Sequence, residues 1–149
     1  MNLSAILVAT DFSECSGYAF QTAKKFGKTF GAKIVLLHVI NLRVLDRLAE
    51  YLKVQPEDLV PELRERAQQQ LGDFLEQWNP GGLVVESMVT VGIPFQEIAG
   101  IARDLAVDLV VLGGCGRGGR GAIDEVFFGS TAEKVVRLLP CPVLCVPPA

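Results

Sequence analysis

The sequence predicts an α/β protein: a single-domain, open, doubly wound, five-stranded parallel sheet with helices on both faces. Two observations carry this expectation. Short apolar runs (Ile6–Ala9, Lys33–Ile40, Asp108–Gly113, Val143–Val146) alternate with longer stretches of helical spacing. Strands that are apolar on both faces belong to parallel sheets covered by helices on either side. The 149 residues fit one domain, and no repeat, low-complexity tract or linker divides residues 1–149. Half of the residues are apolar and 21% charged, enough to bury a core.

The elements follow in order. Ile6–Ala9, preceded by Leu3, is an all-apolar strand ending at Thr10-Asp11. Ser13 is a suitable N-cap for a helix to Phe30, which Gly31 closes. Lys33–Ile40 reads as a buried strand. Residues 42–79 are helical by the spacing of Leu45, Leu48/Ala49 and Leu52, then Leu63, Ala67, Leu71, Phe74/Leu75 and Trp78. Pro56 and Pro61 mark breaks or first turns between two helical pieces. Asn79-Pro80-Gly81-Gly82 is a turn, Leu83–Val91 a strand, and Pro94 opens a helix to about Ala106. Asp108–Gly113 is the fourth strand, Ser130–Leu139 the last helix and Val143–Val146 the last strand. Trp78 and His38 both read as core residues, His38 sitting in an apolar strand.

The net charge of −3 argues against a nucleic-acid binder, whose footprint is a basic face. No apolar run approaches the roughly 20 residues of a membrane span. Asp11 follows the first apolar stretch directly and no basic region precedes it, so a cytoplasmic protein without a signal peptide is expected. Four cysteines in that setting read as reduced, structural thiols. Cys141 and Cys145, four apart on a strand, place their Cα atoms roughly 13 Å apart, beyond disulfide reach. Neither Cys15 nor Cys115 has the near neighbour a zinc site needs.

In an open doubly wound sheet the ligand crevice lies beyond the carboxyl ends of the strands, where the strand order reverses. Thr10-Asp11 and the segment Gly113–Gly121 stand at two such ends and would face each other if strands one and four are neighbours. That segment holds six of the fifteen glycines, with Arg117 and Arg120 among them, and a helix begins at Ser130. Open backbone amides, guanidinium groups and a helix N-terminus are the parts of a phosphate cradle, although a solvated surface loop has the same composition. A Walker A loop is excluded, because no lysine lies between Lys53 and Lys134. Gly114-x-Gly116-x-x-Gly119 matches the dinucleotide fingerprint in form only, since it follows the fourth strand and does not open a helix. Ser130-Thr131-Ala132-Glu133 has the form of a capping box: the Ser130 hydroxyl either caps the Glu133 amide and leaves little for a ligand, or exchanges the two roles, capping when the site is empty.

Taken together, Ile6–Ser13, Leu37-His38-Val39-Ile40, Val91-Gly92-Ile93-Pro94, Asp108–Gly113, Gly129–Val136 and Pro140–Leu144 resemble the universal stress proteins over nearly the whole chain. The resemblance implies an adenine-nucleotide alpha-hydrolase-like fold. The ATP-binding branch carries Gly-x2-Gly-x9-Gly-Ser/Thr, present here as Gly116-x2-Gly119-x9-Gly129-Ser130. In the family the first motif glycine ends the fourth strand, which would make Gly113-x2-Gly116 the first pair and leave twelve residues, Arg117 to Phe128, before Gly129. Either the strand overruns by three residues or the loop carries a three-residue insertion.

By resemblance, the nucleotide-binding residues are Ala9, Thr10, Asp11, Val39, Gly113, Gly116, Arg117, Gly119, Gly129, Ser130 and Thr131. Asp11 and the Val39 backbone lie at the adenosine end, the glycines, Ser130 and the Thr131 amide at ribose and phosphates. The implied ligand is ATP with Mg2+, and the implied assembly a homodimer through the Val143–Val146 edge strand. Asp11, Asp124 and Glu125 are the only nearby acid–base candidates, and an exposed carboxylate is a poor base for water. The expected function is therefore nucleotide-dependent stress regulation with at most slow ATP hydrolysis. A cyclic AMP binder and an interaction module without nucleotide are the alternatives, and the helical stretch 42–64 either covers the ligand, serves a partner or simply packs.

Overall fold

The computed structural model describes residues 2–114, 130–138 and 140–148. Five strands, β1 (Ala5–Ala9), β2 (Lys33–Asn41), β3 (Val85–Gly92), β4 (Leu109–Gly113) and β5 (Val143–Val146), form one sheet in the order β3-β2-β1-β4-β5. Every pairing is parallel. The helices are α1 (Glu14–Phe30), α2 (Leu42–Leu52), α3 (Pro56–Trp78), α4 (Pro94–Asp104) and α5 (Ser130–Leu138). The order reverses between β1 and β4, which are hydrogen-bonded neighbours, so the two strand ends singled out by the sequence lie side by side.

The strands are apolar on both faces because both are covered. Ile6, Val8, Ile34, Leu36 and Val111 point to one side, against Ala19, Phe20 and Ala23 of α1 and Leu71 and Phe74 of α3. Leu7, Val35, Leu37, Val110 and Leu112 point to the other, against Ile98 and Ala102 of α4 and Val135 of α5. The period of two along each strand sorts one apolar run into two cores. Asp108 pins the opposite end of the β1–β4 pair, its Oδ2 accepting from the Ser4 and Ala5 amides (2.7 and 3.0 Å).

The caps fall where the sequence places them. Ser13 accepts from the Ser16 amide to open α1, and Gly31, at φ 68°, closes it in the left-handed conformation that glycine adopts without penalty. Pro56 stands at the start of α3, where no amide hydrogen is missed. Pro61 does not break the chain: it lies inside α3, close enough to the start that it costs one hydrogen bond in an otherwise well-packed helix. β3 begins at Val85, paired with Ile34, and Val84 before it is 90% exposed. α4 ends at Asp104, and Ala106, at φ 50°, carries the chain out of it.

Trp78 packs on the α1–α3 core as expected, its ring occupying the space a side chain at Gly17 would fill. Gln21 and Lys24 donate to the Trp78 carbonyl (2.8 and 3.1 Å), satisfying the end of α3. Burial, then the nearby Lys28, pushes the Lys24 pKa down. Cys141 and Cys145 are free thiols whose pKa burial pushes up, with Asp108 adding to the shift at Cys141. Cys15 departs from the expectation of reduced thiols, being disulfide-bonded. Sequence spacing excludes a bridge only between Cys141 and Cys145 on one strand and says nothing of Cys15.

Phe74 joins the two helices of this layer, edge-on to Phe20 and Phe12 and 6.2 Å from the Trp78 ring. Phe74→Ala should cost about 3–5 kcal/mol in urea unfolding. Because Trp78 is the only tryptophan, its emission should also shift to the red in the folded variant; an unchanged spectrum and midpoint would contradict this account of the layer.

Candidate functional site

The site forms where β1 leaves the sheet. Its ladder with β2 ends at Ala9 opposite Leu37. Thr10 still donates its amide to the Leu37 carbonyl (2.9 Å). The next rung, from the Val39 amide to the Thr10 carbonyl, is not formed, and that carbonyl accepts from His38 Nδ1 (2.8 Å). A carbonyl can only accept, so Nδ1 carries the proton.

A compact set of hydrogen bonds turns the chain away. The Thr10 hydroxyl, buried, lies 2.7 Å from Ser16 Oγ and accepts the Phe12 amide (2.9 Å). Ser16 gives its own proton to the Ser13 carbonyl (2.7 Å), so Thr10 is the donor in the hydroxyl pair. Phe12 has φ 68°, unusual for a bulky residue, and costs about 1–3 kcal/mol wherever it occurs. Its ring is held by stacking on His38 at 4.2 Å and by the edge of Phe74. Asp11 projects at the tip of this turn; Oδ1 accepts the Ser13 amide (3.0 Å), and Oδ2 has no hydrogen bond among the described residues.

The Val39 main chain is the second feature. Leu37 directs its carbonyl towards β1, as the bond from Thr10 demonstrates, and groups two residues on point the same way. The N–H and C=O of Val39 therefore face β1 beyond the point where β1 has turned off. His38 and Ile40, between and after, direct theirs to β3.

β4 supplies the opposite wall. It ends at Gly113, and Gly114 donates to the Val146 carbonyl (2.8 Å). The strand's last residue is Gly113, the glycine at which the strand-anchored spacing of the motif would begin. A side chain at Gly113 would meet the Cys15 carbonyl group at 3.0 Å, so this glycine lets β4 abut the first turn of α1. α5 begins at Ser130, followed by Thr131, so its N-terminus stands at the same end of the sheet as the other strand ends. Gly116, Arg117, Gly119 and Gly129, like Asp124 and Glu125, lie outside the described residues.

The structure thus brings Ala9, Thr10, Asp11, Val39 and Gly113 to one end of the sheet. Phe12, Ser16 and His38 belong to the same construction although the sequence singled out none of them as site residues. A hydroxyl at Ser16, six residues after Thr10 and just inside a capped helix, was the one local signal available. Among the described residues no cluster of three or more His, Cys, Asp or Glu could hold a metal ion, and no helix is long and apolar enough to cross a membrane.

This combination defines an open doubly wound α/β protein whose strand order reverses between β1 and β4, the switch point at which such folds bind ligands. A family model for the universal stress protein family matches residues 3–147, and the chain belongs to that family. It is similar to universal stress protein MJ0577 of Methanocaldococcus jannaschii, 29% identical over 95% of this chain and 93% of that protein. It is 31% identical to YxiE of Bacillus subtilis over 95% and 97% of the two chains. The solved structure of MJ0577 superposes with a TM-score of 0.80 at 31% identity, covering 99% of this chain and 97% of that one. Two further structures, at 20% identity, share the fold: a universal stress protein in complex with cAMP (TM-score 0.69, covering 100% of both chains) and one from Archaeoglobus fulgidus in complex with dAMP (TM-score 0.65, covering 97% and 98%).

Gly113→Val tests the wall. Main chain cannot give way as a flexible side chain can, so the variant should lose about 1–3 kcal/mol and melt roughly 3–10 °C lower. A melting temperature equal to that of the parent protein would contradict the packing of β4 on α1.

Proposed function

We propose that the chain binds an adenine nucleotide, ATP with Mg2+ foremost, in this crevice and acts as a nucleotide-dependent regulator of the stress response. The observation that carries the reading is the open main chain of Val39. An N–H beside a C=O complements the acceptor N1 and donor N6 of adenine, and it mismatches guanine and hypoxanthine, which present a donor and an acceptor in the reverse order. The cAMP- and dAMP-bound relatives, alike in fold, hold ligands of the same base.

The remaining contacts follow the resemblance. Asp11 has a carboxylate oxygen available for a ribose hydroxyl. Ala9 and Thr10 line the base end with main chain. The phosphates fall to Gly113, Gly116, Arg117, Gly119, Gly129, Ser130 and Thr131, at the N-terminus of α5 where the helix dipole favours anions. Mg2+ would take phosphate and water oxygens, as it does where a protein offers no cage of its own. No group is assigned to hydrolysis. β5 is the outermost strand, and its free edge supports a homodimer through Val143–Val146. The exposed apolar face of α2, with Val44 57% and Tyr51 83% exposed, is what an interaction module without nucleotide would use instead.

Calorimetric titration with ATP, ADP, AMP, cAMP, ITP and GTP tests the reading. ATP should bind at least about tenfold more tightly than ITP, the difference of roughly 1.4 kcal/mol that reversed polar partners produce. Equal affinity for ATP and ITP would contradict base reading by Val39. Binding of no nucleotide at all would favour the interaction module, and preference for cAMP over ATP would place the triphosphate outside the site.

A further inference from the structure

The main chain of Val39 is open because two of its natural partners are engaged elsewhere. Continued by one residue, the β1–β2 ladder would use the Thr10 carbonyl to accept the Val39 amide. Continued by two, it would use the Phe12 amide to donate to the Val39 carbonyl. The first partner is taken by His38 Nδ1 at 2.8 Å and the second by the Thr10 hydroxyl at 2.9 Å. Both diversions are made by side chains of the two strands that would otherwise zip together. The ring that makes the first also stacks on Phe12, stabilising the left-handed turn that completes the departure.

We infer that His38 is a positioning residue: its imidazole holds the end of β1 off β2 and so keeps the Val39 peptide edge free for a ligand. A histidine in a buried strand could simply be a satisfied core residue. Here, however, its bond falls on the one carbonyl whose release would close the edge. The role of the edge in base binding rests on the nucleotide reading above. The diversion of the ladder does not, and the two can be tested apart.

Amide hydrogen exchange on the ligand-free protein tests the diversion. In the parent protein the Val39 amide should exchange much faster than that of Leu37, which is paired with β1. His38→Phe keeps an aromatic ring against Phe12 and removes the Nδ1 donor. It should release the Thr10 carbonyl to the Val39 amide, slow exchange at Val39, and weaken ATP about tenfold, the effect of roughly one lost hydrogen-bonding opportunity. His38→Asn, whose amide nitrogen can stand near the position of Nδ1, should restore fast exchange and ATP affinity without restoring the ring.

Protection of Val39 equal to that of Leu37 in the parent protein would overturn the inference, and that measurement needs no variant to fold. Unchanged Val39 exchange in His38→Phe would overturn it as well. Slower exchange with undiminished ATP affinity would break the link between edge and ligand. If the parent protein binds no nucleotide, the functional reading falls, while the exchange rates at Val39 still decide the role of His38.

Discussion

A parallel strand that stops short of its neighbour leaves main-chain groups of that neighbour without partners, and each such group costs about 1–3 kcal/mol if it is also denied water. The end of β1 is the constraint on which this molecule is arranged. β1 is the central strand, paired to β2 on one side and β4 on the other. Wherever it stops, the crevice opens, and the manner of its stopping determines which groups line that crevice. It stops by hydrogen bonding to itself and to the side chain of His38, and α1 begins four residues beyond Thr10.

That arrangement holds a left-handed phenylalanine, and the surrounding structure offsets the strain. The Phe12 ring lies between His38 and Phe74, and Phe74 reaches on to Phe20 and Trp78. The turn at the mouth of the crevice is thus continuous with the aromatic layer between α1 and α3. Strain of this kind persists where packing over-determines it, and it gathers where chemistry or binding needs a particular geometry. On the other wall, the absence of a side chain at Gly113 lets β4 reach the first turn of α1. A rigid sheet with one strained corner and one glycine seam presents open main-chain groups at the switch point, where doubly wound folds place their ligands.

The fold was legible because its signals are local. Apolar runs with glycine or proline at their ends give strands, Ser13 and Gly31 give the limits of α1, and alternation of strand and helix gives the parallel sheet. Misplaced boundaries have physical causes: Pro61 is tolerated inside α3 because a long helix absorbs one missing hydrogen bond, and Val84 is apolar yet fully at the surface. The site was legible in part. Thr10, Asp11 and Gly113 stand at strand ends, which a sequence can mark, and Val39 came from resemblance to the family. His38 was read as core because nothing in its neighbours records which carbonyl its ring would meet. That depends on the register of β1 against β2, twenty-eight residues away in sequence, and on the turn at Phe12.

The proposed adenine-nucleotide site is the β1/β4 switch point, with the Val39 edge at its base end. Amide chemical shifts recorded while Mg2+ and ATP are added to the labelled protein test this most directly. The account predicts the largest shifts at Val39, at Thr10–Phe12 and at Gly114, with little change in the middle of α3 or at Val85–Ser87 at the far end of β3. Saturable shifts concentrated on α2, or along β5, with Val39 and Asp11 unmoved, would contradict it.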